Sequence, residues 1–257
     1  MPRFAANLGY LFPEHEFLDR FEAAAKAGFR AVEFAQPYAW PAAEIRARLD
    51  ANGLECALVN LPMGDRARGD FGIACRPGRE AEFREGVALG IACAHALGVP
   101  RLNCITGTAT PAEDRMALLR TLVSNLRFAA REFKAAGLDL LVEPINTVDV
   151  PGFFLSRSPD AVEIIAEVAE PNLFLQCDIY HTAMMGDDPA AILERCWNAI
   201  GHIQFADAPG RHEPGSGKID FAPLFVGIDA RGYAGWVSAE YRPTRRTEDT
   251  LSTFLRP

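Results

Sequence analysis

Short apolar runs alternate with longer helix-period segments eight times along the chain, and this alternation restricts the fold more than any other feature. The runs occupy 4–9, 31–35, 55–60, 101–105, 139–144, 173–178, 202–206 and 236–241. Each has the length and bounding turns of a buried strand. The segments between them carry helix punctuation. Thr110-Pro111, Ser158-Pro159 and Asp188-Pro189 each place a capping side chain before a proline suited to a first helical position. Gly28, Gly53, Gly98, Gly137, Gly201 and Gly232 follow periodic segments, where a left-handed residue ends a helix. Strand and helix in alternation imply parallel pairing through right-handed crossovers. Eight units in 257 residues average about 32 residues each, the size of a (β/α)8 TIM barrel. An open doubly wound sheet is the alternative, but no G-x-G-x-x-G follows the first run. No linker or low-complexity tract interrupts the chain, so a single barrel domain over 1–257 is expected.

Composition excludes several partners. With 34 acids against 26 Lys plus Arg, the formal net charge is -8, and no basic stripe offers a footprint for nucleic acid or anionic membrane. No window approaches the roughly 18 apolar residues of a membrane span. No leader is evident, so the mature chain is expected to start at or near Met1. Six cysteines are scattered without a C-x-x-C pair, which suits a reduced, cytoplasmic protein. A homo-oligomer stays open, because one sequence does not display surface packing.

In such a barrel the chemistry sits at the C-terminal ends of the strands, so polar residues ending apolar runs are informative. Four stand out: Glu143, Asp178, Gln204 and Glu240. They are 35, 26 and 36 residues apart, each close to one strand-helix unit, which assigns them to the fifth to eighth strands. Side-chain alternation can bring them to one side of the sheet, at the barrel mouth. Three carboxylates there repel one another unless a cation joins them. Oxygen donors without thiolate or imidazole suit a hard divalent ion, Mg2+ first and Mn2+ second, although the ion is not indispensable to the reading. The competing reading is four ordinary polar groups in caps and loops.

Other residues carry smaller signals. His181, three residues after Asp178, is placed to reach substrate or ion. His202 shares parity with Gln204 but lies deeper, as a core histidine does, and His15 and His95 fall in segments read as helical. The loop 207–220 carries Arg211 and Lys218, either as a solvated turn or as a clamp in which the Arg211 fork grips a carboxylate. The connection 61–78 is long for a βα loop, and Gly64, Gly69 and Gly72 suit a lid over a small substrate. Tyr38 and Trp40 end the second strand, as an apolar wall of the site or as rim packing.

Motifs along essentially the full length add a likeness. Asn60-Leu61-Pro62 with Gly64-Asp65, Pro77-Gly78-Arg79-Glu80, Glu143-Pro144-Ile145-Asn146-Thr147, Pro151-Gly152-Phe153-Phe154-Leu155, Asp178-Ile179-Tyr180-His181, Pro209-Gly210-Arg211-His212-Glu213-Pro214-Gly215 and Glu240-Tyr241 stand in this order. The chain resembles the hydroxypyruvate isomerase family of xylose isomerase-like TIM barrels. The resemblance implies that Glu143 and Glu240 are the acid/base pair and that Glu143, Asp178, Gln204 and Glu240 bind the metal. Related epimerases have histidine where Gln204 stands. The chain departs from the family at Arg66, where an aromatic residue is usual, at Ala208, where asparagine is usual, and at Lys218, where an acidic residue is common.

Two opposed carboxylates with an ion suit proton transfer between adjacent carbons of a small hydroxy-oxo acid through an enediolate. Hydroxypyruvate, giving tartronate semialdehyde, is the first substrate expected, with His181, Arg211 and Lys218 binding it. A 2-oxotetronate is the second. An endonuclease IV type of phosphodiesterase would need more histidines and a basic surface, and a noncatalytic sugar-acid binder needs no second carboxylate to return a proton.

Overall fold

A computed structural model describes residues 1–255 of the chain. Strands and helices follow one another as β1 (Arg3–Asn7), α1 (Arg20–Lys26), β2 (Ala31–Phe34), α2 (Ala42–Asn52), β3 (Glu55–Asn60), α3 (Glu80–Leu97), β4 (Arg101–Cys104) and α4 (Arg115–Ala135). The second half continues with β5 (Asp139–Val142), α5 (Ser158–Val168), β6 (Leu173–Asp178), α6 (Ile179–Met184), α7 (Pro189–Cys196), β7 (Ile200–Phe205), α8 (Phe221–Ala230), β8 (Trp236–Ala239) and α9 (Thr247–Thr250). All eight expected strands are present. They close into a parallel barrel in sequence order, with β8 pairing β1 from Arg3 beside Trp236 to Ala6 beside Ala239. The fold is a (β/α)8 TIM barrel. Among the described residues no helix is long and apolar enough to cross a membrane.

Alternation along the strands sorts the two faces. Outward side chains pack beneath the helices, as where Phe4 meets Phe225 and Phe254 edge-on at 5.0 and 5.1 Å. Helix α4 answers with Leu118, Leu122, Leu126, Ala129 and Phe133, a buried stripe at helical spacing. The inward face is unusual for a barrel interior, where branched apolar residues normally dominate. Beside Leu141 and a small plug of Ala5, Ala31 and Ala57 with Trp236, it buries Asn7, Glu33, Asn103, Gln176, His202, Gln204 and Ser238. Register sets Asp178 beside Gln204, and Gln204 beside Ser238.

Several local expectations need correction. Thr110-Pro111 opens a turn, held by Glu113 accepting from the Thr110 N–H, and α4 starts later, where Asp114 accepts from the N–H groups of Met116 and Ala117. Ser158 is the first residue of α5 rather than its cap, whereas Asp188 does cap α7 through Ala190 N–H. Gly201 ends no helix. It lies inside β7, where a Cβ would sit 2.6 Å from Phe174 Cβ and 2.8 Å from Leu141 Cδ2, so only glycine lets these strands approach. His15 lies in a bend before α1, and His95 lies in α3 as expected.

The long loop after β3 is pinned rather than loose. Arg79 grips Asp70 through two bonds of 2.7 and 2.8 Å, and Cys75 N–H donates to Thr106 O at 2.8 Å. At Gly72 a Cβ would lie 2.3 Å from Ile105 O, so this glycine serves close docking against the loop after β4, not the hinge of a lid.

Candidate active site

A cavity of ≈ 670 Å³ opens at the C-terminal end of the barrel, with Glu143, His181, Arg211 and Glu240 in its wall. Glu143 and Glu240 stand one residue beyond β5 and β8, and Asp178 is the last residue of β6. Each acid is buried or nearly so, with 6%, 1% and 12% of the side chain of Glu143, Asp178 and Glu240 exposed. Asp178 is fixed by its neighbours, since one oxygen caps α6 by accepting from Tyr180 N–H at 2.8 Å.

Burial and crowding raise all three carboxyls. Burial is the main cause at Glu143, which is pushed well above the usual range; the charges of Glu240 and Asp178 add to it, against Arg211 and a 2.7 Å bond from Asn103 Nδ2. At Glu240 burial prevails over the opposing charge of Arg211, and the carboxyl rises to about 8. Asp178 is raised by burial against Arg211 and the N–H groups of α6. Carboxyls in this state suit proton transfer near neutral pH.

Arg211 is the cation that holds them together. Its Nη2 donates to Glu240 Oε2 at 2.8 Å and faces Asp178 Oδ2 at 3.5 Å, while Nε donates to Glu240 O at 3.3 Å. The guanidinium lies between the rings of Tyr10 and Tyr180, 4.7 and 5.0 Å from their centroids. Its backbone holds φ 58, in the left-handed region, where a non-glycine residue persists only if its surroundings over-determine it. Asp207 supplies much of that determination. It is fully buried and accepts from the N–H groups of Ala208, Gly215, Gly217 and Ile219, folding the whole loop around one carboxylate.

His181 faces Asp178 Oδ2 at 3.4 Å and Glu143 Oε1 at 3.9 Å through Nε2. Burial first, and then Arg211, hold the ring well below its ordinary pKa, so it is neutral. Its tautomer follows from Asn146. Asn146 Oδ1 accepts from the N–H groups of Val148 and Asp149, which turns Nδ2 toward His181 Nδ1 at 2.6 Å. With a donor facing Nδ1, the proton resides on Nε2 and points at the acids.

The ligand atoms of Glu143, Asp178 and His181 lie within 4.8 Å of one another, close enough to surround one metal ion. The tautomer makes Nε2 a donor rather than a ligand, so carboxylate oxygens are the better donor set, and that set suits a hard ion. Gln204 stands below the cavity. Its Nε2 donates to Glu33 Oε1 at 2.6 Å and its Oε1 accepts from Gln176 Nε2 at 2.6 Å, so an ion would compete with Gln176 for that oxygen.

The other expected residues are dispersed. Lys218 is exposed and borders a neighbouring groove with Asp187 and Asp220, outside the acid-lined cavity, because its backbone N–H is tied to Ala208 O at 2.8 Å. Ala208 is buried in the same turn. Tyr38 donates to Asn60 O and Trp40 stacks on Phe17 at 4.1 Å, so both serve as rim packing. His202 bonds Glu33 at 2.6 Å in the interior. Burial alone would raise Glu33, but the charge and hydrogen bond of His202 bring it below the usual range. Asn7 links this layer to the site, donating to Glu33 at 2.9 Å and Glu240 at 3.1 Å. Asn7, Glu33 and Asn103 carry no expectation from the sequence, and Asn146 enters there only within a motif, without a role of its own. A polar residue inside a buried run was the available signal for Glu33 and Asn103.

Comparison with known proteins agrees with this geometry. A 2-oxo-tetronate isomerase from Cupriavidus necator is 48% identical over 257 residues, covering 100% of this chain and 98% of that protein. A hydroxypyruvate isomerase from Escherichia coli is 46% identical over 251 residues, covering 98% of this chain and 97% of that one. A solved structure described as an AP endonuclease, family 2, from Brucella melitensis superposes with a TM-score of 0.96 at 41% identity, covering 99% and 98% of the two chains. Residues 21–257 match the family model for the xylose isomerase-like TIM barrel, and the chain belongs to that family.

Proposed function

We propose that the protein is an isomerase that exchanges carbonyl and hydroxyl between adjacent carbons of a small hydroxy-oxo acid. Hydroxypyruvate is the first substrate, giving 2-hydroxy-3-oxopropanoate. A 2-oxotetronate is the second, favoured by the 48% identical relative and by a cavity with room for a further hydroxylated carbon. The observation that carries the reading is the pair of buried, raised carboxyls, Glu143 and Glu240, in one cavity.

One glutamate of the pair takes the proton from the carbon bearing the hydroxyl, and the C–H electrons form the double bond of an enediolate. The other glutamate delivers a proton to the former carbonyl carbon, while the proton of the hydroxyl oxygen passes to the former carbonyl oxygen, so that the first oxygen becomes the new carbonyl and the second the new hydroxyl. The reaction is reversible, so the two residues exchange roles with direction. His181 Nε2–H supplies a hydrogen bond to the oxygen where negative charge develops. Arg211 keeps Glu240 oriented through its side-chain and backbone bonds. Glu143 and Asp178 would hold a divalent ion, Mg2+ or Mn2+, with Glu240 joining on release from Arg211 and Gln204 on release from Gln176. Such an ion supplies carbonyl polarisation and stabilisation of the enediolate charge.

A small acid also accounts for the environment of the site better than DNA does. The chain carries a net charge of -8, and Glu143 and Glu240 face a cavity at the barrel mouth. All six cysteines are free and buried, which supports a place in the reducing cytoplasm. The test is NMR in D2O with hydroxypyruvate and a 2-oxotetronate, on protein stripped of metal and then reloaded. Exchange of the substrate C–H for deuterium together with product formation is expected on reloading. No exchange with either acid, or full turnover by the Glu143→Gln, Glu240→Gln double variant, would refute the assignment.

A further inference from the structure

We propose that Arg66 and Arg242, rather than Arg211, hold the carboxylate of the substrate, and that they make the site selective for acids over neutral sugars. The inference rests on the isomerase reading above and assigns the group that reading leaves unplaced.

A substrate carboxylate entering a cavity already lined by acids needs a cation with charge to spare. Among the described residues three arginines line this cavity, Arg66, Arg211 and Arg242. Arg211 is committed, with Nη2 and Nε directed to Asp178 and Glu240. Arg66 is different because the acids of its own loop are paired elsewhere. Asp70 takes both nitrogens of the Arg79 fork, and Asp65 faces Arg68 at 3.3 Å. Arg66 is left with a bond of 3.1 Å to the backbone oxygen of Asp70 and a place over the Phe71 ring at 4.8 Å. These contacts orient the guanidinium without neutralising it. Arg242 follows β8, with its guanidinium 5.9 Å from the Tyr10 ring, and among the described residues no carboxylate lies within ion-pair distance of it or of Arg66.

The placement divides the cavity by charge. Glu143 and Glu240 line it from the strand ends, while Arg66 and Arg242 reach the same cavity from the loops after β3 and β8, three strands apart around the ring; Asp149, the other carboxylate of the lining, accepts from Tyr180 Oη and Asn146 Nδ2. An acid would bind with its hydroxyl and carbonyl toward the glutamates and its carboxylate toward this rim. Guanidinium forks match carboxylates in bidentate geometry, and the pinned loop presents Arg66 without a folding penalty on binding. A neutral sugar of the same length gains nothing from either residue.

The test combines equilibrium binding of D-glycerate, followed by calorimetry, with steady-state kinetics on hydroxypyruvate. Wild type is compared with Arg66→Met, Arg242→Met, the double variant and Arg66→Lys. Both residues are exposed, so the variants retain the fold. The double variant is expected to bind D-glycerate at least about tenfold more weakly and to raise KM by a similar factor, with kcat little changed. Arg66→Lys should recover part of the loss. Unchanged affinity in the double variant, or a fall in kcat with KM unmoved, would overturn the assignment. If wild type binds D-glycerate and the variants lose it, but no acid is turned over, the rim stands and the proposed reaction falls.

Discussion

Raising the pH on ion-free protein should destabilise it between pH 6.5 and 8, against the common pattern of broad stability there. The cause is the carboxyl of Glu240, whose burial lifts it from 4.5 to about 8. Over that range the native state keeps a proton that the unfolded chain has already released. Stability then falls by about 1.4 kcal/mol for each pH unit in which the native state holds one extra proton. Below pH 6.5 the effect is partly offset. His181 is held well below its ordinary value of 6.5, so the unfolded chain binds a proton there that the native state lacks, and stability from this group rises with pH until 6.5. Above 6.5 only the second half of that titration remains, and the raised carboxyls dominate.

Across the remaining 1.5 units Glu240 accounts for a loss of about 2 kcal/mol, and Glu143, raised by burial and by Glu240 and Asp178, works in the same direction. For a chain of this length that is a fall in Tm of about 4 to 8 °C. Thermal melts in EDTA at half-unit pH steps measure it. Glu240→Gln should flatten the profile, and saturating Mg2+ or Mn2+ should do so too, because an ion binds only the ionised oxygens. Stability that stays level or climbs from pH 6.5 to 8 in EDTA would refute the reasoning, and an unchanged slope in Glu240→Gln would refute its assignment to that residue.

Asn146→Asp keeps an acceptor for Val148 and Asp149 but turns an acceptor toward His181, so the ring proton should move to Nδ1 and kcat should fall about 10² fold or more with KM little altered; ring 15N shifts that leave the proton on Nε2 would contradict this. Asp207→Ala strips the acceptor from four backbone N–H groups of the loop that carries Arg211 and should cost about 3 kcal/mol or more in urea unfolding. A loss below about 1 kcal/mol would show that water replaces the carboxylate there.

The barrel was legible because eight buried runs leave a hydrophobic signature that no local detail can disguise. Helix starts were less so. A capping side chain followed by proline fits the first turn of a helix, as at Asp188, but equally a free-standing turn, as at Thr110, and only the acceptor three residues on decides between them. Gly201 carried the same composition as a helix end but answers to Phe174 and Leu141 across the sheet, neighbours distant in sequence. The acids of the site were visible since a carboxylate ending an apolar run is conspicuous. Their partners were not. Arg211 reads as a free clamp in a polar loop until the fold sets it 2.8 Å from Glu240, and nothing in the order of residues pairs Asp70 with Arg79 so as to leave Arg66 uncompensated.

The charges of the site connect these points. Glu143, Asp178 and Glu240, all ionised, carry three negative charges against one on Arg211, with His181 neutral. The deficit of two can be met by two protons or by one divalent ion, and the raised carboxyls show that without the ion the cluster leans toward protons. Protons and ion therefore compete for the same oxygens, which is why one measurement of stability against pH reports on both. The balance also forbids a further anion deep in the cavity unless it brings or finds its own counter-charge. A substrate acid can meet that condition only at the rim, where Arg66 and Arg242 remain unpaired, and so the electrostatics that favour an ion among the glutamates also orient the substrate above them.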